Sequence, residues 1–184
     1  MNDSAGKIEI RRASLDDARL VSLLGTVTFF EAYFEQDDPQ DLADYLHESV
    51  NPEKISAELA SADTEFFILF RNNCAVGYAK MRTGAKAECI KSENSIELQR
   101  IYLVERVYGK GVGEALLEFC LDNARRRGFE IVWLGVWQEN PRAIRFYEKH
   151  GFRKVGEITF PYGETVGRNW VMEKALKEND WTAK

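Results

Sequence analysis

Cysteine and histidine are too scarce in this chain to build a disulfide framework or a metal centre. The 3 cysteines, Cys74, Cys89 and Cys120, are odd in number and lack the spacing of metal ligands. The 2 histidines, His47 and His150, stand far apart and unaccompanied. Unbridged thiols and no metal are therefore expected. No apolar run approaches the roughly 20 residues of a membrane-spanning helix, and the opening MNDSAGKIEIRR lacks the apolar core of a secretion signal. Together these absences predict a cytoplasmic protein with no membrane partner. Basic charge is also short: 25 Lys and Arg stand against 30 Asp and Glu, a net charge of −5, with a pI near 5.3. Nucleic acid is not an expected partner, because the one basic cluster, Arg125, Arg126 and Arg127, lies at a helix end where it complements the dipole.

What is present suits one enzyme domain. A chain of 184 residues with 45% hydrophobic content can bury a full core, so residues 1–184 are read as a single α/β domain. Residues 8–12 form a first strand, and Ser14 followed by Asp17 gives a capping-box-like helix start. Asp38-Pro39 and Asn51-Pro52 open two further helices as cap-plus-proline pairs. Residues 66–71 and 75–81 flank Asn72-Asn73 as a hairpin, and 84–94 reads as a polar loop. In the fourth strand Ile96 and Leu98 alternate in one phase and Ile101 and Leu103 in the other. A β-bulge near Gln99 or Arg100 absorbs the extra residue; the alternative is a strand buried on both faces, whose alternation need not keep phase.

Two segments carry chemistry. Residues 106–115, RVYGKGVGEA, place Gly109, Gly111 and Gly113 between an apolar strand and an amphipathic helix that runs to Gly128. Glycines admit an anion close to the backbone, and the N–H groups of a helix start favour negative charge. Lys110 adds a point charge. The phosphate-loop pattern is not met, since Glu114 and Ala115 follow Gly113, and the dinucleotide fingerprint lacks its two-residue gap. By itself the segment is equally a tight connection that needs positive φ. The second segment, 140–152, reads NPRAIRFYEKHGF after the strand IVWLGVW. Asn140 and Pro141 make a cap and N1 pair, Ala143, Phe146 and Tyr147 share a helix face, and Gly151 is a C-terminal stop.

The order and spelling of these segments resemble the GNAT family of N-acetyltransferases over nearly the whole chain. The resemblance implies a twisted, mixed and mostly antiparallel sheet with flanking helices, in which the bulged fourth strand splays from the fifth to form a V-shaped acyl-CoA cleft. It implies acetyl-CoA as co-substrate, held by backbone at Ile101, Tyr102 and Leu103 and by Tyr108, Gly109, Lys110, Gly111, Val112 and Gly113, with Asn140, Tyr147 and Lys149 on the other wall. The family's glycine motif fits in two frames, from Tyr108 with Gly111 and Gly113 or from Arg106 with Gly109 and Gly111. The first stands at the expected distance from the strand, and its Tyr108 departs from the family's Gln or Arg.

Direct acetyl transfer to an amine needs a base for the amine, donors for the developing oxyanion and an acid for the thiolate. The resemblance makes Tyr147 the acid. Glu97 is the candidate base, directly or through water, if burial raises its ordinary pKa of about 4.3; otherwise it pairs with Arg100 or another cation. Residues 28–46, 97–102 and 133–137 are similar to the PaiA-type polyamine acetyltransferase branch. This implies a spermidine or spermine acceptor, drawn to Glu31, Glu35 and Asp37, in a segment whose carboxylates are otherwise a solvated helix face. The alternatives are acetylation of a protein or peptide amine, and an idle acyl-CoA-binding regulator on the same fold. A homodimer is compatible with either.

Overall fold

The computed structural model describes residues 6–162 and 165–176, so both ends of the expected domain lie outside the described residues. Seven strands form one mixed sheet: β1 (Ile8–Arg12), β2 (Thr64–Arg71), β3 (Cys74–Arg82), β4 (Ser95–Leu103), β5 (Ile131–Trp137), β6 (Arg153–Tyr162) and β7 (Thr165–Ala175), in the order β1-β2-β3-β4-β5-β7-β6. Among the described residues five α-helices accompany it: α1 (Ala18–Tyr33), α2 (Pro39–Ser49), α3 (Pro52–Ala60), α4 (Val112–Arg126) and α5 (Pro141–Lys149). Every neighbouring pair of strands is antiparallel except β4 and β5.

Local chemistry starts the elements where the sequence places them. Asp38 caps α2 by accepting from Gln40 N at 2.8 Å, Asn51 caps α3 through Lys54 N at 2.7 Å, and Asn140 caps α5 through Ala143 N at 2.9 Å. Each is followed by proline, whose missing N–H costs nothing at the first helical position. The Ser14 amide donates to Asp17 Oδ2 at 2.8 Å ahead of α1. Asn72 and Asn73 take φ of 50° and 63°, the left-handed pair that lets a two-residue turn follow strand twist.

The register of β3 against β4 carries the main irregularity. Lys80 pairs with Arg100 and the next residue, Met81, with Leu98, so Gln99 is skipped. The bulge returns Ile101 and Leu103 to the face already occupied by Ile96 and Leu98, and all four pack in the core beneath α4 and α5. On the opposite face, Tyr78 and Phe66 pack under α1 and α3. Farther across that face, Ala87 and Ile90 cover Trp133 and Val171.

Gly77 sits where β3 passes the end of β4. A Cβ there would lie 2.6 Å from Tyr102 O and would also meet the Leu103 side chain. Gly77→Ala should therefore push the strands apart and cost about 1–3 kcal/mol. Thermal unfolding should show Tm lowered by roughly 2–4 °C per kcal/mol. An unchanged Tm would mean that this end of the sheet is loosely packed.

Candidate functional site

The two central strands part company early. β4 and β5 pair only at Ser95–Ile131, Ile96–Val132 and Glu97–Trp133, although β5 stays paired with β7 to Trp137 and β4 with β3 to Leu103. Val104 N donates to Val76 O at 2.9 Å. Antiparallel alternation then turns the backbone of Tyr102 and Arg100 toward β3 and that of Ile101 and Leu103 away from it, into the gap. Tyr102 differs from its two neighbours: its ring packs on the α1 side, 6.1 Å from Phe29. Where the strands separate, Trp133 Nε1 and Gln99 Oε1 are buried without a hydrogen-bond partner among the described residues.

The glycine segment lies at the far end of β4. A 3-10 turn, Glu105–Val107, leads through Tyr108 to Gly109 and Gly111, with φ of 71° and 72°. A Cβ at either glycine would meet nothing within 4 Å, so the space in front of both is open. Gly111 is the N-cap of α4, whose first helical bond runs from Ala115 N to Gly111 O at 3.1 Å. The amides of Val112, Gly113 and Glu114 thus have no partner within the helix. Gly113 instead brings α4 close to β4, its Cβ position lying 3.2 Å from Leu103 Cδ1. Lys110 Nζ donates to Arg106 O at 2.8 Å, tightening the loop.

Arg142 escaped sequence reasoning. Its guanidinium carbon lies 3.6 Å from the centroid of the Tyr108 ring, putting a cation beside the open loop. Its position was a signal, because a cation in the first turn of α5 opposes the helix dipole. Asn140 spends Oδ1 on its cap, at the end of β5. Lys149 is bound to Glu114 Oε1 at 2.6 Å and ties the end of α5 to the start of α4.

Tyr147 is 8% exposed and packs with Phe146 and Phe152 beneath α5. Burial, with the Tyr33 hydroxyl and Cys120 nearby, pushes its hydroxyl well above the ordinary tyrosine range. It keeps its proton at neutral pH. Cys120 is fully buried in α4 and packs in the core.

An aromatic wall stands on the other side of the gap. Phe29 lies 4.4 Å from Tyr33 and 4.3 Å from Tyr45, Tyr33 reaches to 6.1 Å from Trp137, and Tyr45 to 6.1 Å from Phe160. Rings from α1, α2, β5 and β6 thus converge where the strands have separated. The Tyr33 and Tyr102 hydroxyls are hydrogen-bonded. Beneath this wall Lys80 and Arg100 share Glu58, at 2.8 and 3.2 Å, and Arg100 also donates to Ser49 O at 3.1 Å. Burial, with Arg100 and Arg82 near, lowers the Lys80 pKa to about 8 against the pull of Glu58.

Glu97 does form an ion pair, but with Arg82, whose Nε and Nη2 approach Oε2 to 2.8 and 2.6 Å. It is 7% exposed. Burial outweighs the attraction of Arg82 and Lys80, so its carboxyl sits above the ordinary glutamate value. The three acidic candidates separate in space. Glu31 accepts from Glu105 N at 2.8 Å, at the foot of the glycine loop. Glu35 is exposed beyond α1. Asp37 is half-buried and close enough to Tyr33 for its charge to raise that hydroxyl's pKa.

The acetyltransferase (GNAT) family pattern matches residues 25–152. An uncharacterised N-acetyltransferase of Lactobacillus delbrueckii subsp. lactis is 27% identical, over 92% of this chain and 98% of its own. The spermidine N(1)-acetyltransferase of Thermoplasma acidophilum is 23% identical over 91% of this chain and 96% of its own. The crystal structure of the PaiA N-acetyltransferase from the same organism, in complex with coenzyme A, superposes with a TM-score of 0.76 at 23% identity, covering 92% of this chain and 99% of that one. That likeness is one of fold.

The Glu97–Arg82 pair has a pH signature. A carboxyl whose folded pKa is raised stabilises the fold below its unfolded pKa and loses that contribution as pH rises through the folded value. Arg82→Gln removes the offsetting charge and raises the folded pKa further. Destabilisation should be about 1–3 kcal/mol at neutral pH, toward the low end because the Arg82 side chain is 38% exposed. It should shrink as pH falls and the carboxyl takes up its proton. Denaturant unfolding across a pH series checks this; a pH-independent loss would show that Glu97 does not feel Arg82.

Proposed function

The chain belongs to the acetyltransferase (GNAT) family and is an acetyl-CoA-dependent N-acetyltransferase, and we propose that its acceptor is a polyamine of the spermidine or spermine type. The residues at the gap fit the co-substrate. Gly109 and Gly111 leave open space before the first amides of α4, which have no partner within the helix; this suits a pyrophosphate, and Arg142 and Lys110 add positive charge beside it. Ile101 and Leu103 offer backbone groups to an extended pantetheine chain in the strand gap. Acetyl-CoA, when bound, supplies the activated thioester.

This chain's own residues do the rest. Tyr147 retains its proton and gives it to the sulfur as the C–S bond breaks and the C–N bond forms. Glu97, with its raised pKa, receives the amine's proton through water. The separation of acid and base across the two faces of the sheet matches a reaction in which the amine and the thioester arrive from opposite sides.

The observation that carries the polyamine reading is the ring of Phe29, Tyr33, Tyr45, Trp137 and Phe160 with Asp37 beside it. Aromatic faces attract ammonium groups by roughly 0.5–2 kcal/mol each, and a flexible polycation engages several at once. The similarity to the spermidine N(1)-acetyltransferase of Thermoplasma acidophilum supports the same acceptor class. A second reading rests on the floor of this space, where Lys80, Arg82 and Arg100 outnumber Glu58 and Glu97. That excess of positive charge suits a peptide amine with a carboxylate nearby.

Tyr147→Phe keeps the ring and its packing. Turnover should fall by roughly 10²-fold with CoA affinity little changed, as read by steady-state kinetics and calorimetry. Undiminished kcat would reduce Tyr147 to a core aromatic.

A thiol-release screen with acetyl-CoA over polyamines, neutral amines and peptides tests the acceptor. Spermidine and spermine should show the highest kcat/KM, weakened by salt because exposed charges are screened beyond about 8 Å at physiological ionic strength. Asp37→Asn should raise their KM and leave that of acetyl-CoA unchanged. Peptides ahead of polyamines would favour the second reading and leave the acetyltransferase activity in place.

A further inference from the structure

Helix α1 is apolar on two opposite faces, and only one of them is buried. Val21, Leu24, Gly25 and Thr28 face the sheet. Leu23, Val27, Phe30 and Phe34 face outward and are 60%, 38%, 50% and 49% exposed. At 100° per residue these four fall within about 60° of one another, a stripe spaced 4, 3 and 4 residues apart as in a helix-pairing seam. Phe30 and Phe34 stack on each other at 5.3 Å, so they present one continuous apolar surface. None of the site residues lies on it.

We propose that this stripe is a homodimer interface, in which α1 packs antiparallel against α1 of a second copy about a two-fold axis. A two-fold interface must be complementary to itself, and this one is. Matching Leu23 with Phe34 and Val27 with Phe30 of the other copy places large against smaller side chains along the whole seam. The same register carries Arg19, exposed at the N-terminal end, to the acidic turn holding Glu35 and Asp38, exposed at the C-terminal end. Parallel packing would set like charges against each other at both ends. The area agrees. Four half-exposed side chains, two of them phenylalanines, present roughly 300–400 Å² of apolar surface, close to the apolar share of the ~800 Å² each partner contributes to a standard interface.

The interface would also brace the reactive site, because the buried side of the same helix carries Phe29 and Tyr33 into the aromatic wall. Its occupant is a second copy of this chain.

Sedimentation velocity or light scattering of the full chain at micromolar concentrations should give twice the 21.1 kDa chain mass. Phe30→Glu and Leu23→Glu each put a charge in the seam and should raise the dimer dissociation constant at least tenfold, with far-UV circular dichroism unchanged because both side chains are exposed. Arg19→Glu should weaken the dimer, and Arg19→Glu combined with Glu35→Arg should restore it, a rescue that a merely structural effect would not produce. A wild-type chain that remains monomeric at 100 µM overturns the proposal and gives the stripe to a different protein. A dimer that survives both Phe30→Glu and Leu23→Glu overturns it equally, placing the contact elsewhere.

Discussion

The separation of β4 from β5 is the constraint on which the rest of this structure depends. Parallel strands in a sheet normally stay paired along their length, because an unpaired backbone group away from water costs as much as a lost hydrogen bond. Here the pairing ends after Glu97 and Trp133. The bulge at Gln99 bends β4 just beyond that point, as an extra residue does in an antiparallel pair. It leaves the backbone of Ile101 and Leu103 facing a gap instead of a neighbour. The fold keeps two edges in its middle, and both line the gap.

Each surrounding feature keeps that gap open and aligned. Gly77 lets β3 follow the far end of β4 closely, and Gly113 lets α4 rest on Leu103, which sets the helix N-terminus at the mouth of the gap. The proline-backed cap at Asn140 starts α5 directly from the end of β5, so Tyr147 is carried inward on the fixed face of a short helix. Lys149 and Glu114 join the ends of the two helices that form this wall. On the other wall, the Tyr33–Trp137 approach bridges α1 to β5 across the opening.

The polar floor shows how charge is managed under burial. Lys80 and Arg100 converge on one carboxylate, and Glu97 turns to Arg82 instead of joining them. A buried pair is weak evidence of stability, since desolvation consumes most of the Coulomb attraction. Burial has the clearer effect, on protonation: it lowers Lys80 and raises Glu97, each against the pull of its partner. Two groups of opposite type are thereby moved toward neutral pH beside the gap.

Local signals were legible in the sequence because they act between near neighbours. The cap-and-proline starts of α2, α3 and α5, the Asn72-Asn73 turn and the glycine segment before α4 are each decided within four or five residues, by hydrogen bonds and steric limits the residues carry with them. The bulge was legible too, since a phase change in alternation has to be absorbed somewhere, and the family likeness extended that reading to the mixed sheet and its co-substrate. Partners distant in sequence were not legible. Glu97 meeting Arg82 instead of Arg100, Glu31 bonding the Glu105 amide, Arg142 covering Tyr108 and the rings of α1, α2 and β6 closing on one opening all depend on the register and packing of strands far apart in the chain. A carboxylate in a sequence has many cations within reach, and only the assembled sheet chooses among them.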